Sequence, residues 1–119
     1  MMSIFKDQAR FMLACEQTVT GLNDEQSRLY ATLIEEEYKE LITADSRENE
    51  LKELIDLMVV LIGYGLSMGY DLDGAWDEVW RSNMSKINPD SGMVAKREDG
   101  KVLKGPMYIP ADVSKFIGV

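Results

Sequence analysis

Acidic residues at helical positions where apolar ones belong constrain this chain more than any other feature. Two clusters, Glu36-Glu37-x-x-Glu40 and Glu53-x-x-Asp56, are separated by thirteen positions, each in sequence of helical period. With about 100° per residue and Leu29 at zero, Leu33 falls near 40°, Tyr30 near 100°, Leu41 near 120° and Ile34 near 140°, which defines an inward arc. Glu40, near 20°, and Glu37, near 80°, lie inside that arc, Glu36 lies at its edge near 340°, and Glu35 and Lys39 fall well outside it. A solvated face is available and two acids do not use it. The second cluster opens a helix that continues as Leu57-Met58-Val59-Val60-Leu61-Ile62, apolar all round and therefore expected to be buried on every side. Glu53 and Asp56 share a face with Leu57 and Val60.

Such burial needs compensation, since two unit charges about 4 Å apart repel by about 4 kcal/mol even at an effective dielectric near 20. Neither inward face offers a Lys or Arg in phase: Lys39 points outward and Lys52 lies about 100° from Glu53. A hard divalent cation is the better match, because acids at i and i+3 share one helix face and two such pairs on antiparallel neighbours can converge on one or two Mg²⁺ ions.

The flanking signals set up that geometry. Ser3 is the expected N-cap of a first helix to about Thr18, with Ile4, Phe11 and Cys15 on one stripe and Phe5, Met12 and Val19 on the next, so two packing partners are expected. Asn23-x-x-Gln26 reads as a capping box for a second helix over about 24–44, and Asp45-x-x-Glu48 as another for the third. The turn between them is so short that the two helices must form an antiparallel hairpin. Glycine near 67–69 ends the third helix, and Asp71 caps a fourth to about Ser85, with Ala75, Trp76, Val79 and Trp80 as its apolar face. Beyond Pro89, Met93-Val94-Ala95-Lys96 and Lys101-Val102-Leu103-Lys104 flank Arg97-Glu98-Asp99-Gly100, the pattern of a β-hairpin. The expected fold is thus all-α, an antiparallel four-helix bundle core over 3–87 with a C-terminal β-hairpin and extended arm over 88–119, in a single domain.

Together these residues resemble the MazG-type all-α NTP pyrophosphatase superfamily. The first acids match its Glu-Glu-x-x-Glu and Glu-x-x-Asp signature, while Glu78-Val79-x-x-Ser82-Asn83-Met84-Ser85-Lys86 and Asp99-Gly100-Lys101-Val102-Leu103-Lys104-Gly105-Pro106 are similar to a phosphoribosyl-ATP-pyrophosphohydrolase-like branch. The resemblance spans roughly residues 4 to 112. It implies hydrolysis of the α–β phosphoanhydride of a nucleoside triphosphate with Mg²⁺, for which Mn²⁺ can substitute. Carried over position by position, it makes Glu37, Glu40, Glu53 and Asp56 the metal ligands and adds Glu36 to the catalytic set. It also places phosphate contacts near Asn83 and Lys86. A lysine in the last turn balancing the helix dipole is the competing role for Lys86. Lys101 and Lys104, expected to share a strand face, are candidates to close over the anion. Trp76, Trp80 and Tyr108 are candidates to stack a base, although core packing is the expected role of both tryptophans. Members commonly form dimers or tetramers, so a homodimer or homotetramer is expected.

Charge supports an anionic substrate carried with a cation. Residues 1–80 hold 6 Lys and Arg against 17 Asp and Glu, net −11, and residues 81–119 hold 7 against 4, net +3. An acidic body argues against a nucleic-acid partner, and no apolar run is long enough to span a membrane. Lys6 and Asp7 come too early for a signal peptide, and one cysteine, Cys15, suits a reducing cytoplasm. With no histidine to activate it, Cys15 is a packing residue rather than a nucleophile. The absence of histidine also excludes the usual Glu-x-x-His di-iron bundle. The rival to the enzyme is a non-catalytic helical oligomeric module that binds cation or nucleotide.

Overall fold

The computed structural model describes residues 3–118. Among them run four α-helices, α1 (Ile4–Ala14), α2 (Asp24–Ile42), α3 (Arg47–Ser67) and α4 (Leu72–Met84), then a 3-10 turn at Ser114–Phe116. They fall into two compact units, one running to Leu72 and rejoined by the chain from Ile117, the other spanning Asp73–Phe116.

In the first unit α2 lies along α3, and α1 packs on α3. Met12 of α1 is fully buried, with Tyr30 of α2 and Val60, Ile62 and Leu66 of α3 around it. The close approach of α2 to α3 depends on Gly63, where a Cβ would run into the Tyr30 ring. The Tyr30 hydroxyl then donates to Gln17 Oε1 at 2.6 Å. Ser3 caps α1 as expected, accepting from the backbone N–H groups of Phe5 and Lys6. α1 ends at Ala14, however, short of Thr18. Gln17 N–H reaches back to Met12 O and Glu16 N–H to Leu13 O, a Schellman ending with Glu16 in the left-handed region at φ 62°. Thr18 cannot extend the helix because the Gln26 amide takes both its backbone groups, accepting from its N–H at 2.9 Å and donating to its carbonyl at 2.7 Å. Asn23 caps α2 through the Gln26 N–H, but the Gln26 side chain closes no reciprocal box and donates instead to Ser67 Oγ. The cap of α3 is Ser46, which accepts from the Asn49 N–H at 3.0 Å, one residue later than the box expected at Asp45.

The burial of α3 on every side does not hold. Leu54, Ile55, Met58 and Leu61 are exposed, because α1 and α2 cover only the side that carries Glu53, Val60 and Leu66. Of the two stripes on α1, that of Phe5 and Met12 is used, while Ile4, Phe11 and Cys15 face solvent.

In the second unit, the polar stripe of α4 holds the tail. Ser82, 4% exposed, donates through its hydroxyl to Ile109 O at 2.9 Å, and Ser85 Oγ accepts from Ile109 N–H at 2.9 Å. Glu78 Oε2 accepts from Asp112 N–H at 2.8 Å. On the opposite stripe Trp76 is 62% and Trp80 57% exposed, which corrects the core packing expected of them. The β-hairpin is also corrected: no strand forms among the described residues, and the pairing reduces to isolated bridges at Asn88 with Met93 and Lys96 with Val102. The turn does form, with Gly100 N–H on Arg97 O and Asp99 chelated by the Arg97 guanidinium. Two exposed arms with no third strand are too little to hold a ladder.

Candidate functional site

Four residues, 43–46, connect α2 to α3 and enforce the antiparallel pairing. Glu37 and Glu40 thereby come against Glu53: one carboxylate oxygen from each lies within 4.8 Å of the others. Glu53 is 7% exposed, Glu37 is half-buried and Glu40 is exposed. Two oxygens, Glu37 Oε2 and Glu53 Oε2, are buried without a hydrogen-bond partner. Burial, then the charge of Glu40, pushes the Glu37 carboxyl up to about 7. The Glu53 carboxyl is raised as well, first by its contact with Glu40 and next by burial, with Lys52 pulling the other way.

Asp56 stands one turn along α3, half-buried, and its carboxylate is engaged by Lys52 at 2.7 Å. Lys52 Nζ also lies 3.7 Å from Glu53 Oε1. This overturns the expectation that no basic side chain serves the acids. A helical angle locates the Cβ and not the end of a four-carbon side chain, and Lys52 and Asp56 stand at the i, i+4 spacing that lets them meet. That spacing is the signal in the sequence that would have found Lys52. Glu36 lies on the exposed side of α2 and joins no ion pair among the described residues.

An all-oxygen donor set with two orphaned oxygens fits a hard divalent cation such as Mg²⁺, Mn²⁺ or Ca²⁺ and is a poor match for metals that favour nitrogen or sulfur.

The expected anion contacts belong to the second unit. Asn83 is exposed near the end of α4, and its carbonyl accepts from the half-buried Lys86 N–H at 3.1 Å. Gly105 runs against the Lys86 carbonyl so closely that a Cβ would collide with it, which brings the backbone next to Lys104 up to that of Lys86. Lys104 Nζ sits 5.1 Å from the centre of the Tyr108 ring, a cation–π contact. Lys101 is exposed, its N–H capped by Asp99 Oδ1 at 3.2 Å. Lys101 and Lys104 share no strand face, because no strand forms there and an offset of three alternates faces even in extended chain.

No helix among the described residues is long and apolar enough to cross a membrane. Compared with known proteins, the chain matches the family model of phosphoribosyl-ATP pyrophosphohydrolase over residues 8–83, which takes in every acid of both clusters and reaches Asn83. No curated protein matches it.

Proposed function

The chain belongs to the phosphoribosyl-ATP pyrophosphohydrolase family, within the MazG-like all-α NTP pyrophosphatases, and from that premise we propose that it is a Mg²⁺-dependent nucleoside triphosphate pyrophosphohydrolase. It cleaves the α–β phosphoanhydride to give nucleoside monophosphate and pyrophosphate. The family is one of nucleotide pyrophosphohydrolases and typically depends on a divalent cation. The observation that carries the reading is the convergence of Glu37, Glu40 and Glu53, with two of their oxygens buried and unpartnered.

Glu37, Glu40 and Glu53 would hold the cation, with Asp56 as the fourth ligand once Lys52 lets go of it. A divalent cation bound there neutralises phosphate oxygens and acidifies a bound water. Glu36, adjacent in sequence to Glu37, exposed and outside any ion pair among the described residues, is the carboxylate assigned by the resemblance to assist the attacking water. Asn83 and Lys86 are assigned to phosphate and sugar oxygens on the strength of the resemblance, and Lys101 and Lys104 to the anion on the positive charge of this part of the chain alone. The open apolar faces of α1 and α3 support a homodimer or homotetramer, which light scattering at micromolar concentration tests against a monomer. The acidic body supports neither a nucleic-acid nor a membrane partner, and Cys15 suits a cytoplasmic setting.

The deciding experiment incubates the protein with Mg²⁺ and a panel of dCTP, dUTP, phosphoribosyl-ATP and modified nucleotides, and resolves products by mass. Monophosphate with pyrophosphate is expected. Diphosphate with orthophosphate contradicts the reaction, and binding without turnover supports the non-catalytic module instead.

A further inference from the structure

The acid cluster already holds one cation, and it is part of the chain. Lys52 Nζ is 2.7 Å from Asp56 Oδ2 and 3.7 Å from Glu53 Oε1. Among the described residues no other Lys or Arg is ion-paired with Glu37, Glu40, Glu53 or Asp56. The ammonium therefore stands on oxygens from both acids of the second cluster. The Lys52 side chain is 69% exposed, so nothing packs it in place and a change of rotamer releases it. Lys52 takes Glu53 Oε1 and Asp56 Oδ2 and leaves Glu53 Oε2 unpartnered, so a divalent ion drawing on Glu53 and Asp56 would stand close enough for the two cations to repel strongly, and that repulsion displaces the ammonium. The evicted group stays tethered one residue from Glu53, a point charge with three donors and no acceptor.

We propose that Lys52 is a built-in competitor for the cation that becomes an anion-binding group once displaced: it weakens binding of the bare metal ion and strengthens binding of the metal-bound polyphosphate. This rests on the reading of the acids as a cation site. Its consequence is coupling. The ion that arrives alone must break the Lys52 pair, whereas the ion that arrives with a polyphosphate gives the freed ammonium a new partner. By linkage, polyphosphate then raises the affinity for the ion by the same factor that the ion raises the affinity for polyphosphate.

The test is calorimetry of the full chain with two probes, Mg²⁺ alone and inorganic pyrophosphate added at saturating Mg²⁺. K52M should tighten Mg²⁺ by about two- to fivefold, the range set by an exposed ion pair, and weaken pyrophosphate by about threefold or more. K52R, which keeps the charge, should keep both affinities near wild type. Opposite signs in one variant are the signature, since a lysine with a merely structural role would move both affinities the same way or neither. If wild type binds Mg²⁺ and K52M binds both probes as wild type does, or shifts them together, the role of Lys52 is overturned while the cation site stands. If the folded wild type binds no Mg²⁺, both fall.

Discussion

Glu78 of α4 and Glu37 of α2 are both helix glutamates turned toward other parts of the chain, and the protein drives them in opposite directions. Glu78 is held down to about 2, first by its bond with Arg81, at 3.0 and 2.9 Å, then by the Asp112 N–H. Glu37 is pushed up to about 7 by burial and by the Glu40 charge, and one of its oxygens has no partner. The second unit solves its carboxylate internally: donors surround it and the tail is fastened as a result. The first unit collects carboxylates, supplies one lysine at the margin, and leaves the deepest oxygens unmet. The fold satisfies its acid at Glu78 and leaves oxygens of Glu37 and Glu53 unmet, which is the contrast behind the proposal that a divalent cation settles the charge there.

The largest effect separating the regions should be on turnover. E53Q keeps the shape of the side chain and removes its charge, so hydrolysis measured with Mg²⁺ should fall at least about a hundredfold, as for loss of a metal-binding group. E78Q should leave catalysis largely intact and instead loosen the tail, read as faster amide exchange at Asp112 and faster proteolysis near Ile109. Equal losses of activity in the two variants would erase the distinction.

A packing change sharpens it. The Cβ of G63A collides with the buried Tyr30 ring, so the ring or α2 itself must shift, and a shift of α2 carries Glu37 and Glu40 away from Glu53. Overpacking of this kind costs about 1–3 kcal/mol, measurable by urea denaturation, and should weaken Mg²⁺ binding as well. Unchanged Mg²⁺ affinity in a destabilised G63A would show that the acids do not depend on that helix spacing.

The pH dependence of the metal-free protein should divide between the regions by sign. Glu37 has a folded value of about 7 against an ordinary 4.5, so its contribution to stability is present below 4.5 and lost as pH rises through about 7. Glu78, folded at about 2, contributes fully above 4.5 and loses that contribution as pH falls through about 2. In chelator, E37Q should flatten the stability profile between pH 4.5 and 7, and E78Q should flatten it below 4.5. An E37Q profile parallel to wild type over the upper window would remove the crowding.

Most of the first unit was legible because helical phase is set by the backbone: the inward angle of Glu37, the caps at Ser3 and Asn23, and the short turn before α3 all describe local geometry, whereas Glu40, inward by the same angles, reaches Glu53 from an exposed position. What failed depended on partners a single helix does not announce. The Thr18 backbone is taken by Gln26 from eight residues away, which stops α1 early. Met58, Leu61, Trp76 and Trp80 read as core from periodicity alone, but an apolar stripe says that something covers it and not that this chain does. Lys52 was missed because its Cβ points off the acid face while its ammonium reaches back to it. The hairpin arms carry the right residues and a true turn, and lack only a sheet to join.

The most direct test of the cation site is the melting curve of wild type, E53Q and E78Q in Mg²⁺ and in chelator. At Mg²⁺ a hundredfold above its dissociation constant, wild type and E78Q should gain about 2.7 kcal/mol over the metal-free protein. E53Q should gain nothing, while in chelator it should be as stable as wild type or more so, having shed a crowded charge. A wild-type melting temperature indifferent to millimolar Mg²⁺, or an E53Q protein that responds as wild type does, would contradict the assignment of Glu37, Glu40 and Glu53 as the metal centre.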